Sequence, residues 1–387
     1  MYNWPLMQDT ISKKDKLRMI KFILTAKKFT SDSMVKKFEY DWSNWLGAKH
    51  SLFVSSGSTA NFLLVAAIKD KYKLSAGDKV LLPSCTWMTN VAPIIQLGLK
   101  PVFADINLRN YSFDLSDIKR IKELHPDIKV IFVTHLLGFA ADNQAYKEIF
   151  PNAIIIDDVC ESHGCRFEDR TLVGSDSLGS TFSFYFGHHM TTIEGGMVST
   201  NDDELYDIMK MKRSHGLARE SVNFDFWSQK YNDIEKSFLF VTDGYNFRNH
   251  EIPAVLGISQ LPRLNSMIKK RRENYTKYFE IMMNHSDRFY IPSYQDGNSS
   301  FAFPFIAKDK ETFQKIKYLF DINKIEHRPI VSGNLMRQPF LSSYSMASGR
   351  DDYNVHKLDN GLYIGNNHFL TNENFKVLRS VLRESRA

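Results

Sequence analysis

The chain has 387 residues, of which 43% are hydrophobic and 24% charged, and a formal net charge of +6. That length and balance suit two domains with a large core, and exclude a fibre or a disordered chain. The basic residues are dispersed, and the one dense run, Lys269-Lys270-Arg271-Arg272, falls in a helical pattern, so the charge favours an anionic small molecule over a nucleic acid.

From Tyr40 to Lys210 short apolar runs alternate with helical patterns. Strands are expected at Ser51–Ser55, Lys79–Leu82, Pro101–Ala104, Val130–Thr134, Ala153–Asp157, Thr181–Tyr185 and Met197–Thr200. Helices are expected between several of them, at Thr59–Lys69, Val91–Leu97 and Asn143–Ile149. Apolar strands separated by helices imply a mostly parallel sheet covered on both faces, with ligands beyond the carboxyl ends of its strands. Ser221–Phe240 is aromatic and reads as a long loop, and Glu251–Ser286 has helical periodicity. A second, smaller α/β unit follows, with strands at Phe301–Ile306, His327–Val331 and Gly361–Ile364. The expected organisation is a segment 1–30 packed on the smaller unit or on a partner, a large domain 31–260 and a small domain 261–387. The three cysteines (Cys85, Cys160, Cys165) include no Cys-x-x-Cys, so neither a disulfide framework nor an iron–sulfur cluster is expected. No apolar run approaches the ~18 residues of a membrane span and no leader pattern opens the chain, so a cytoplasmic protein is expected.

Every chemical motif falls at a strand's carboxyl end. Ser55-Ser56-Gly57-Ser58-Thr59-Ala60-Asn61 opens a helix whose first amides could meet an anion, with hydroxyls of Ser56 and Ser58 as added donors. Taken alone, a capped helix explains it more simply. Trp87 could stack on a flat ring or fill a core. Asp157 and Asp158 end an apolar strand, where carboxylates are costly unless something positive meets them, such as a protonated ring nitrogen. Their spacing to the histidines does not resemble a metal ligand set. Phe182–Gly196 reads as strand, turn and a return into a Gly-Gly strand, with His188-His189 in the turn. The two imidazoles would face opposite sides of an extended chain, so His189 would point elsewhere. His135, His163 and His250 read as structural or unassigned.

In order, the Ser-Gly-Ser-Thr-Ala run, Trp87, Asp158 with Glu161, Ser183, His188, Glu194-Gly195-Gly196 and Gly244-Tyr245-Asn246-Phe247-Arg248 resemble the sugar-nucleotide aminotransferases of fold type I, which use pyridoxal phosphate (PLP). The likeness covers nearly the whole chain. Where that family carries its cofactor lysine, three residues before Thr191, this chain has His188, and it resembles the dehydratase branch with that exchange. Asn3-Trp4-Pro5-Leu6 and Arg328–Asn334 add to this likeness.

The resemblance implies an α/β protein with a large domain built on a mainly parallel seven-stranded sheet and a small C-terminal α/β domain. It implies PLP and its amine form, pyridoxamine phosphate, held without a covalent bond. Ser56, Gly57, Ser58 and Ser183 would hold the phosphate, Trp87 would stack on the ring, Asp158 would pair with the ring nitrogen, and Glu161 would flank the ring. His188 would be the acid/base. Asn246 would reach the phosphate from a neighbouring subunit, making the active unit a homodimer with a shared site. His215, Arg219 and Arg328 would contact substrate. The implied reaction takes glutamate and a nucleotide-linked 4-keto-6-deoxy sugar, with GDP-4-keto-6-deoxymannose the first candidate. It removes the C3 hydroxyl and releases a 3,6-dideoxy 4-keto sugar, 2-oxoglutarate and ammonia. Two rivals stand beside it: a true aminotransferase using another lysine, such as Lys212, and a non-catalytic sensor that retains the cofactor site.

Overall fold

The computed structural model describes residues 3–344, 350 and 352–386. Helices α1 (Lys13–Thr25) and α2 (Ser33–Leu46) precede β1 (His50–Val54). Then α3 (Gly57–Lys71), β2 (Lys79–Pro83), α4 (Met88–Gln96), β3 (Lys100–Ala104), α5 (Leu115–Leu124), β4 (Val130–Thr134), α6 (Asn143–Ile149) and β5 (Ile154–Asp158) alternate. Strands β6 (Ser180–Ser183) and β7 (Gly196–Thr200) lead to α7 (Asp203–Arg213), α8 (Phe224–Lys230) and the 33-residue α9 (Glu251–Met283). The chain closes with β8 (Phe289–Tyr290), β9 (Ala302–Ala307), α10 (Lys310–Ile322), β10 (His327–Pro329), β11 (Gly361–Gly365) and α11 (Asn372–Glu384).

Seven strands form one sheet in the order β1-β7-β6-β5-β4-β2-β3. Only β7 runs against its neighbours, β1 and β6; the other pairings are parallel. Strand β4 is buried along its whole length, as expected where helices cover both faces. Because β7 is reversed, its first residue, Gly196, meets the carboxyl ends of β1 and β6, pairing with Val54 and Ser183. One edge of the sheet therefore gathers the ends of β1, β2, β5 and β6 and the start of β7. A second sheet, antiparallel throughout, has the order β10-β11-β9-β8.

The seven strands of the large sheet lie within about a residue or two of where the apolar runs place them, a margin usual for element ends. Two readings need correction. The stretch 221–240 is not all loop: Phe224–Lys230 is helical, and Lys230 lies over the rings of Phe226, Trp227 and Tyr231. Helix α5 carries little sequence signal because its buried apolar residues are few, Ile118 and Ile121, amid Lys, Arg and Glu. Its start signal is Asp114, whose carboxylate accepts from the amides of Ser116 and Asp117.

The amino-terminal residues pack on both sheets' supports. Trp4 is fully buried against Phe303 and Phe375, and its indole N–H donates to Gly365 O at 2.9 Å. Helix α1 docks on α9 through Asp15, a buried carboxylate that accepts from Arg263 Nη1 at 2.9 Å and from Ser259 Oγ. These donors hold its carboxyl well below the usual range despite burial. Helix α2 has no cap of its own; the carboxylate of Glu251, at the start of α9, accepts from the amides of Asp32, Met34 and Val35. Among the described residues no helix is long and apolar enough to cross a membrane.

Candidate active site

At the end of β1, Ser56 caps α3: its Oγ accepts from Thr59 N at 3.1 Å, and Thr59 Oγ1 accepts from Ser56 N at 3.0 Å. This reciprocal box leaves the amides of Gly57 and Ser58 at the head of the helix without intrahelical acceptors. The backbone is pressed close on two sides. A Cβ on Gly57 would lie 2.7 Å from Ser183 Cβ and 3.3 Å from Cys160 Sγ, and one on Gly196 would lie 2.2 Å from Ser56 O. Glycine is thus required by close approach of β6 and β7, and the result is a cup of free amides and hydroxyls. That donor set fits a phosphate.

The two aspartates at the end of β5 part, as alternate residues of a strand must. Asp157 turns away from the cup, accepting from Asn143 Nδ2 at 2.9 Å with His135 Nε2 at 3.2 Å. Asp158 accepts from Asn61 Nδ2 at 3.0 Å, Asn90 Nδ2 at 2.8 Å and Cys160 N at 2.9 Å. Thr181 Oγ1 donates to Asn61 Oδ1 at 2.6 Å and so orients that amide. Asp158 is therefore held in place by neutral donors, where its carboxylate could meet a cationic ring nitrogen. The sequence alone does not mark Asn61 and Asn90 as site residues. Their signal is an amide side chain buried on an otherwise apolar helix face.

Trp87 is not a core residue. It stands at the start of α4, 57% exposed, beside an exposed Met88. The loop beneath it is pinned from the small sheet: Ser332 Oγ donates to Thr86 O at 2.7 Å and Leu335 N to Ser84 O at 2.9 Å. Glu161 accepts from Leu137 N at 3.0 Å, with Leu137 in a left-handed conformation (φ 55°) that presents the amide. Burial, reinforced by the Asp158 charge, pushes the Glu161 carboxyl up to about 7. Tyr363 of β11 lies within the field of Glu161, and Arg328 of β10 is paired directly opposite it, on the same face of the small sheet. Arg328 is thereby brought to the same side as Glu161.

His188 lies in the turn after β6, where its N–H donates to Tyr185 O and Thr192 N donates to Phe184 O. Its ring packs near His163, Phe301 and Tyr185. Burial first, then the Arg271 guanidinium, pull its pKa down to about 4. Nδ1 is buried and has no hydrogen-bond partner. The expectation that His189 faces the other way fails. The segment is a turn rather than an extended strand, so both imidazoles lean on His163 and Phe301. His189 Nε2 is fixed at 2.9 Å from Ser299 O.

The remaining expected contacts form a separate exposed strip. Ser55 N donates to Phe247 O, which lays residues 246–248 along the end of β1. Asn246 Oδ1 accepts from Arg248 Nε at 3.2 Å, and Arg248 Nη2 lies 3.5 Å from His215 Nε2. Arg219 sits further along, donating to Ser237 O. Among the described residues none of the three bonds to Asp158, Glu161 or His188. Lys212 is engaged elsewhere, its Nζ 2.6 Å from both Asp70 and Asp243, and these carboxylates raise its pKa.

A type I PLP fold and this donor set define a class, and residues 10–355 match the DegT/DnrJ/EryC1/StrS aminotransferase family. The chain belongs to that family. Within it, GDP-4-keto-6-deoxy-D-mannose 3-dehydratase of Yersinia pseudotuberculosis is 36% identical over 397 aligned positions, spanning 99% of each chain. The structure of the E. coli GDP-4-keto-6-deoxy-D-mannose 3-dehydratase with bound hydrated PLP superposes with a TM-score of 0.89 at 30% identity, covering 99% of this chain and 100% of that one. A structure of GDP-4-keto-6-deoxymannose 3-dehydratase with a trapped PLP–glutamate geminal diamine has a TM-score of 0.88 at 30% identity, covering 98% and 100%.

Proposed function

We propose that the protein is a PLP-dependent sugar-nucleotide 3-dehydratase, acting on GDP-4-keto-6-deoxymannose with glutamate as amino donor. The observation that carries this reading is His188. The segment from Phe182 to Gly196 offers an imidazole where an aminotransferase would offer an amine, and it contains no lysine. Lys212, the alternative amine, is locked between two carboxylates and held charged. The full-length similarity to dehydratases of this substrate supports the same choice.

In this reading the free amides of Gly57 and Ser58, with the hydroxyls of Ser56, Ser58 and Ser183, bind the cofactor phosphate. Trp87 covers the ring, Glu161 flanks it, and Asp158 holds a proton on the ring nitrogen. When bound in its amine form, the cofactor supplies a nitrogen for the sugar's keto carbon and a ring that withdraws electrons. His188 is neutral at pH 7, so Nε2 is free to take the carbon-bound proton whose removal starts the elimination. Once protonated, an imidazole of such low pKa is a strong acid and returns the proton to the departing C3 hydroxyl. Because the turn offers no amine to compete for the cofactor, water would hydrolyse the nitrogen from the sugar and release it as ammonia. Asn246, His215 and Arg219 would serve a neighbouring subunit of a homodimer, and Arg328 would reach substrate from the small sheet.

The test is incubation with glutamate and a panel of 4-keto nucleotide sugars. The expected product lacks one oxygen and appears with equal ammonia and 2-oxoglutarate; an amino sugar without ammonia would make the protein an aminotransferase. His188→Asn should keep the cofactor and lose roughly 10²–10⁴ in turnover, the range for a general acid/base. Unchanged turnover in that variant would remove His188 from the mechanism.

A further inference from the structure

The amino-terminal segment does more than cover the small sheet. Trp4 N donates to Lys324 O, Glu326 N donates to Trp4 O, and Leu6 N donates to the Glu326 carboxylate at 2.9 Å. A Cβ on Gly365 would lie 2.3 Å from Leu6 O, so the segment runs in contact with the β11 backbone. Beyond this anchor it reaches the His188 turn at two places. A Cβ on Gly187 would lie 2.5 Å from Met7 Sδ and 2.8 Å from its Cε. The fully buried Gln260 carbonyl Oε1 accepts from Thr191 N at 3.2 Å and from Thr10 Oγ1 at 3.4 Å. One end of the catalytic turn is therefore touched by Met7, and the other is tied through Gln260 to Thr10.

Between these points lies a cavity of about 10 Å³, lined among others by Met7, Gly187, His188, Arg271, Phe301 and Tyr363. That volume is about one water's worth. The titratable and charged groups around His188 are His163 from the loop after β5, His189 and Tyr185 of its own turn, Arg271 of α9 and Tyr363 of β11. Arg271 is 3% exposed and tethered through Nη1 to the carbonyls of Phe301 and Asn366.

We propose that residues 4–10 form a fixed strap that positions the His188 turn and shields its pocket from bulk solvent, with Met7 as the positioning residue. The strap acts through His188, so this rests on His188 being the acid/base. A shielded pocket beside a tethered guanidinium keeps the imidazole neutral; opening it to bulk water relaxes both burial and the unscreened charge.

The experiment is a ¹³C NMR titration of His188 in the full-length holoenzyme, its resonance assigned by its loss in His188→Asn. Met7→Ala should shift that titration upward by about one unit, toward an ordinary histidine, while Met7→Leu, which refills the space, should not. Gly187→Ala, whose Cβ would push aside the flexible end of Met7, should move the titration in the same direction but less than Met7→Ala does. A His188 titration unmoved in a folded Met7→Ala protein would overturn the strap's role. Because the titration needs no turnover, it stands even if His188→Asn proves His188 dispensable.

Discussion

The phosphate cup and the His188 pocket sit on one sheet edge but are made of different materials. The cup is backbone: two open amides at a capped helix start, with Gly57 and Gly196 pressed against Ser183 and Ser56. The pocket is side chains drawn from distant stretches, with Met7, His163, His188 and Arg271 converging from four parts of the chain. A backbone cup can grip a cofactor but cannot tune a proton. A pocket of buried cations and imidazoles can tune a proton, and its stability depends on pH as a consequence. Substitutions in the first should therefore change affinity for the cofactor, and substitutions in and around the second should change rate and titration.

Asp158 offers the largest test of this division. Asp158→Asn keeps the shape and removes the charge from the proposed ring-nitrogen position, at the cost of leaving either Cys160 N or the Asn61 and Asn90 amides without an acceptor. Turnover should fall by roughly 10²–10³, as when a preorganised electrostatic contact is lost, with cofactor still seen in the absorbance spectrum. Gly57→Ala should do the reverse. Its Cβ would lie 2.7 Å from Ser183 Cβ, and relieving that crowding costs about 1–3 kcal/mol. Cofactor affinity, measured by titration calorimetry, should drop roughly 5- to 150-fold, while turnover at saturating cofactor stays near that of the native protein. If Gly57→Ala lowered saturated turnover as much as Asp158→Asn does, the division would be wrong.

The same division decides what could be read in the sequence. Cup residues are contiguous, and a strand followed by Ser-Gly-Ser carries its own geometry. Asp158 and Ser183 end apolar strands, so their position at the carboxyl edge followed from the strand pattern. Asn61, Asn90 and Arg271 were not legible as site neighbours, because each lies on a helix and reaches its partner only after packing. Trp87 was ambiguous because an aromatic after a strand fits either core or surface, and only the exposed start of α4 decides it. His189 escapes the strand pattern because alternation of side chains does not hold in a turn.

The pocket's effect on stability is smaller and has a definite sign. His163, His188 and His189 are all lowered from 6.5 by burial, and His188 to about 4. The unfolded chain takes up their protons near pH 6.5 and the folded chain only at lower pH. Their stabilising contribution is therefore complete above pH 6.5 and is lost as pH falls toward 4. Glu161 runs the other way: raised from 4.5 to about 7, it favours the folded state at low pH and loses that effect as pH rises through 7. Three groups oppose one, so the urea midpoint at pH 5 should lie below that at pH 7. His163 has both ring nitrogens unpartnered among Trp42, Phe182 and Phe184. His163→Phe should reduce the slope by up to about 1.4 kcal/mol per pH unit and narrow the gap between the two midpoints. An unaltered gap would mean that His163 is not one of the groups taking up protons on unfolding.

The smallest effect separates two neighbouring serines. Ser56 Oγ accepts from Thr59 N and so closes the capping box. Ser58 is exposed at the mouth of the cup. Ser56→Ala should lower thermal stability by about 1 kcal/mol, as loss of a helix cap does, even with no cofactor present. Ser58→Ala should leave the cofactor-free protein unchanged and weaken cofactor binding by about 1 kcal/mol, roughly fivefold, for one lost hydroxyl donor. Melting curves with and without pyridoxal phosphate distinguish them. The Ser56 change should appear in both curves, and the Ser58 change only as a reduced upward shift when the cofactor is added. If Ser58→Ala lowered both curves equally, Ser58 would belong to the helix and not to the phosphate, and the cup would rest on the amides of Gly57 and Ser58 and the hydroxyls of Ser56 and Ser183.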